Sequence, residues 1–144
     1  SIEYKLVRKQ LYISSANLSA AFQRMLSEPK SKQLSSQHIY EFVVLNHVLS
    51  SNITSLTGSM INKEPVMMTS KEILLPVKKS ITILKQSLLQ LDHEVQEEEM
   101  MFPKTMTSND IHSDKQLTEQ LNFIYKVSGD IGKITTEIAK ENDR

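Results

Sequence analysis

Histidine is the side chain best placed for chemistry in this sequence, and there are four: His38, His47, His93 and His112. His47 falls on the polar side of a dense apolar stretch, Phe42 to Leu49. An exposed imidazole midway along a helix can accept a phosphoryl group. The neighbours do not suit that chemistry, because phosphotransfer histidines are commonly followed by a lysine and a small glycine, whereas Val48 to Ser51 follow here. A solvated helix histidine is the plainer reading, and a stand-alone signalling or phosphotransfer bundle using His47 is the alternative. His93 and Glu97 stand one helical turn apart and could share a metal. They lie in an acidic run, Asp92 to Glu99, beside Leu91 and Val95, where a surface pair is expected. His38 at a helix start and His112 in a loop read as surface residues. No Glu-x-x-His occurs, so the inward-facing ligand set of a di-iron bundle is missing.

The nucleophiles are equally uninformative. There is no Cys, which removes thiol catalysis, thiolate zinc sites and disulfides together. Serines are abundant, yet none sits in a Gly-x-Ser-x-Gly elbow, and no glycine-rich phosphate loop precedes a helix. The expectation is a non-enzymatic chain with no catalytic residue, no metal site and no bound cofactor.

Charge names no partner in bulk. Seventeen Lys and Arg balance seventeen Asp and Glu over 144 residues, so nothing draws the chain to nucleic acid. The distribution is uneven, however. Lys5, Arg8, Lys9, Arg24, Lys30 and Lys32 face only Glu3 and Glu28 in the first forty residues, and the acidic run lies far downstream. Solvated helix ends of opposite sign are the simple reading; a membrane-facing or subunit-facing basic edge is the sharper one.

What must position these residues is helical. Three Gly, four Pro and few aromatics, against plentiful Leu, Ile, Val and Met, suit long helices. No run of eighteen apolar residues is present, so no direct membrane insertion is expected of this chain. The opening Ser1-Ile2-Glu3-Tyr4-Lys5 resembles neither an initiator region nor a cleavable signal, and a single domain, 1–144, excised from a larger protein is expected.

Four amphipathic segments are predicted. The first, about 3–27, carries Tyr4, Val7, Leu11, Leu18, Ala21 and Met25 on one stripe, widened by Phe22. It stops at Glu28-Pro29, since proline cannot continue the ladder and displaces its predecessor from helical geometry. The second, about 36–61, places Phe42, Leu45, Leu49 and Leu56 on one stripe, flanked by Ile39, Ile53 and Met60. Val43, Val44 and Val48 fall outside it. A helix apolar on several sides is expected to be the most buried of its bundle; the alternative makes Val44 and Val48 a subunit interface.

The third, about 70–101, fills heptad positions with Leu74, Val77, Ile81, Leu84, Leu88, Leu91 and Val95. Pro76 either kinks it or delays its start to Leu75. The fourth, about 113–142, has Leu117, Leu121, Ile124, Ser128, Ile131 and Ile138 on one face, with Val127 and Ile134 beside them. Gly129 and Gly132 each cost about 1 kcal/mol of helix propensity against Ala, for which close approach of a neighbouring backbone would be a reason. Residues from Glu141 onward are expected to fray. The fold class predicted is all-α, an antiparallel up-down-up-down four-helix bundle.

One stretch carries a resemblance. Arg8-Lys9-Gln10-Leu11-Tyr12, then Ala20 to Lys32 with its Ser27-Glu28-Pro29-Lys30 turn, then Glu41 to Ser51, resemble a soluble segment of the YccS/YhfK branch of the FUSC (fusaric acid resistance-like) family. The likeness is specific over about Arg8 to Ser51. It implies a cytoplasmic domain of a bacterial inner-membrane protein, an accessory, assembly or regulatory part of an exporter of aromatic or other organic acids. Its implied partners are its own transmembrane region and other copies of the subunit. No transport residue is carried over, because a translocation path would lie in membrane helices outside this chain.

Overall fold

In the computed structural model, the described residues are 2–61, 71–91 and 115–142. Four helices form there: α1 (Ile2–Leu26), α2 (Ser36–Met60), α3 (Lys71–Leu91) and α4 (Lys115–Asn142), with a short 3-10 turn at Lys30–Lys32. The loops expected between the predicted segments at 62–69 and 102–113, and the end of the third heptad run, lie outside the described residues.

The turn after α1 follows from its sequence. Ser27 donates from both its hydroxyl (2.6 Å) and its N–H (3.1 Å) to the Arg24 carbonyl, and Glu28 N–H reaches the Met25 carbonyl. Pro29 then ends the ladder, and the Gln33 amide donates back to the Leu26 and Glu28 carbonyls at 3.3 and 2.7 Å. Groups that a helix end leaves unpaired are thereby satisfied within the turn. Ser35 caps α2, its hydroxyl accepting from His38 N–H.

The packing order is α1 on α2, α2 on α4, and α4 on α3. α4 is therefore the central helix. Every position of its predicted face is buried, and so are Val127 and Ile134 beside that face, giving it two apolar rows for two neighbours. Leu117, Leu121, Ile124, Val127 and Ile131 join Leu49 and Leu56 of α2 and Ile73 of α3 in one core. Burial of each such side chain contributes roughly 1.5–3 kcal/mol. The expectation that the second helix is the most buried is thus corrected. α2 buries only Val43, Leu49 and Leu56, and α1 buries no residue at all.

Helix directions correct the predicted topology. α1 and α2 are antiparallel, with Tyr4 opposite Thr57, Ser15 opposite Ser50, and Ser19 opposite His47. α2 also runs against α4, since its first turn is held at the last turn of α4 through His38 and Glu141. That bond also holds Glu141 within α4, where fraying was expected. Between α3 and α4, however, Lys79 lies over the Tyr125 ring, Ser87 faces Gly132, and Gln90 bonds Thr136. Contacts that advance together along both helices mean that α3 and α4 are parallel. The order is up, down, up, up. Helical periodicity fixes which face is buried but carries no direction, which is why the sequence could not show this.

The seam between α3 and α4 is made of small residues. Ser80 and Ser87 on α3 and Ser128 on α4 are buried, each donating its hydroxyl to the carbonyl four residues earlier, at 2.7, 3.0 and 2.8 Å. Gly132 sits among them, where a Cβ would come 3.2 Å from Ile83 Cγ2. The glycine thus accommodates a side chain rather than a backbone, and nothing lies within 4 Å of the corresponding point at Gly129. Of the predicted heptad in α3, Leu74 is buried and Val77 and Leu84 pack against the core, whereas Leu88 and Leu91 are exposed; the row one position earlier, Ile73, Pro76, Ser80 and Ser87, is buried as well. α3 begins at Lys71 and passes through Pro76, which is buried within it.

Candidate functional site

Among the described residues, the notable concavity is an open groove of about 860 Å³ between α1 and α2. α1 supplies Lys5, Arg8 and Lys9, with Tyr12 beside them; α2 supplies Ser51 and Ser55 opposite. No Asp or Glu lines the groove, and among the described residues none of the three cations has a carboxylate partner. The antiparallel hairpin creates this arrangement. It turns the basic end of α1 toward the serine- and threonine-rich second half of α2, pairing two surfaces distant in sequence.

His47 also lines the groove. It is exposed, and its Nε2 lies 2.6 Å from Ser19 Oγ on α1, a bond that ties the two helices together. The imidazole therefore has a packing role in the hairpin as well as a place on its surface. Further along the same side, Phe22 and Tyr40 pack with ring centroids 6.0 Å apart.

The remaining sequence-derived sites fare differently. Val44 is 39% exposed, and Val48 is half-buried, packed against the core. Ser27, Glu28, Pro29 and Lys30 form the helix stop described above. His38 is engaged with Glu141 rather than being an idle surface residue. His93, Glu97, the acidic run and His112 lie outside the described residues. Among those described, no group of three or more His, Asp or Glu could hold a metal, and no helix is long and apolar enough to cross a membrane.

Two features were missed from sequence. The groove depends on which face of α1 meets α2. Tyr4, Leu11, Ser15, Leu18, Phe22 and Met25 face inward, whereas Val7 and Ala21 of the predicted stripe are exposed. The sequence signal available was the alignment of Leu11, Leu18, Phe22 and Met25, which alone fixes this phase. The role of Glu141 had no local signal. No protein-family model, curated protein or solved structure matches the chain.

Proposed function

We propose that this chain is a non-enzymatic accessory domain of a FUSC-type membrane exporter of organic acids, serving assembly or regulation at the cytoplasmic face of the bacterial inner membrane. The carrying observation is that α1, a 25-residue helix, buries none of its residues within the fold. A helix of this length gains most of its stability from packing an apolar face. One that leaves Ile2, Leu6, Val7, Ile13 and Leu26 exposed is suited to a contact beyond this chain. The resemblance over Arg8 to Ser51, which covers most of α1, its turn and more than half of α2, supplies the transporter part of the reading.

Val44 and Val48, with Tyr40 one turn before them on α2, are the proposed contact between copies. Light scattering on the chain, unaltered and as Val44→Lys, tests this part. An oligomer that dissociates in the variant is expected; a monomer in both cases removes the self-association. Fractionation of cells expressing the full reading frame tests the transporter part, which fails if the product does not sediment with membranes.

A further inference from the structure

We propose that the first half of α1 docks on an anionic lipid surface, with lipid headgroup phosphates received at the cationic end of the α1–α2 groove. The inference gives the accessory-domain reading a partner for one uncovered surface, and its lipid test stands or fails independently of transport. At about 100° per residue, Arg8, Tyr12, Lys5, Ala16, Lys9, Ile2, Ile13 and Leu6 occupy one arc of α1. That arc lies beside and behind the row that meets α2. It contains no acidic residue, because Glu3 projects from the other side of the helix.

The side chains on this arc are exposed: Ile2 by 80%, Tyr12 by 79%, Leu6 by 55% and Ile13 by 46%. Their chemistry is mixed in a particular way. Lysines adjoining aliphatic residues on a convex helix are unfavourable at the centre of a protein interface, where lysine is depleted. They suit a bilayer surface, where the aliphatic groups enter the headgroup boundary and the cations meet lipid phosphates. Tyr12 has an apolar ring and a polar tip fitted to the same depth. On the groove wall opposite, Ser51 and Ser55 offer exposed hydroxyls as donors to a phosphate oxygen. Because no described helix can span a bilayer, the contact is adsorption in the plane of the surface.

Sedimentation of the full chain with vesicles tests the proposal. Binding is expected to phosphatidylglycerol-containing vesicles and not to pure phosphatidylcholine, and it should be lost in high salt. The triple variant K5Q/R8Q/K9Q should lower partitioning on the order of a hundredfold, roughly fivefold per cation. L6S/I13S should lower it about tenfold, whereas K115Q/K133Q, on exposed positions of α4, should leave it unchanged. The lipid and salt comparisons use the unaltered chain, so a poorly folding variant does not remove the test. Absence of binding, equal binding to both lipids, or equal loss in the α4 variant would overturn the proposal. So would binding of inorganic phosphate without vesicle binding, or a dimer that forms through α1 and excludes lipid.

Discussion

Glu141 clasps the first turn of α2 from the last turn of α4: its Oε1 lies 2.6 Å from His38 Nδ1, and its Oε2 accepts the Ser35 N–H at 3.2 Å. A carboxylate at a helix N-terminus satisfies an orphan donor and complements the positive end of the helix. Both side chains are about one-third exposed, so solvent screens the pair and its contribution is modest. Glu141→Gln should lower stability by about 1 kcal/mol. In a double-mutant cycle with His38→Ala, urea midpoints should reveal a coupling of roughly 0.5–1 kcal/mol. Strict additivity would mean that the His38–Glu141 pair contributes nothing.

The parallel arrangement of α3 and α4 can be tested because the chain has no cysteine of its own. Gln90→Cys with Thr136→Cys should be joined readily by a short thiol cross-linker, since these side chains are 3.1 Å apart at their nearest polar atoms. Gln90→Cys with Lys115→Cys should not be joined. The reverse pattern would restore the up-down-up-down topology.

The two α4 glycines should respond oppositely to alanine. Gly129→Ala meets nothing within 4 Å and should stabilise by about 0.5–1 kcal/mol through helix propensity. At Gly132 the added methyl crowds Ile83 at 3.2 Å, and the seam must spread. Gly132→Ala should forfeit that gain, and Gly132→Leu should cost about 2 kcal/mol or more. Thermal unfolding of the three variants checks the order.

Thr135 is fully buried in α4, and among the described residues its hydroxyl has no hydrogen-bond partner. Burying such a group costs on the order of 1 kcal/mol. Thr135→Val exchanges the hydroxyl for a methyl of similar shape and should raise the unfolding midpoint; a lower midpoint would show that the hydroxyl is satisfied.

Different parts of the fold were legible to different degrees, for physical reasons. The buried face of α4 was readable, because a helix sandwiched between two others needs a wide apolar face, and Leu117 to Ile138 displays it. The stop after α1 was readable within one residue from Pro29. In α3 the heptad was readable where Leu74 is buried and Val77 and Leu84 pack against the core, but not at Leu88 and Leu91, where Ser87 is instead the residue buried beside Gly132. The over-apolar character of α2 was a true signal with a different cause: its faces are shared among the core, which takes Leu49 and Leu56, and the side occupied by α1. The groove and the Glu141 clasp were not legible, since each joins residues whose proximity depends on helix direction and pairing.

The role of α1 as a surface for external contact is tested most directly by amide hydrogen exchange of the full chain, alone and on phosphatidylglycerol vesicles. Local stability follows buried contacts, so α1 should exchange well before α4 in the free chain. On the vesicles, protection should rise across the first half of α1 while α4 stays unchanged. Protection of α1 equal to that of α4 in the free chain, or a gain confined to α3 and α4, would contradict it.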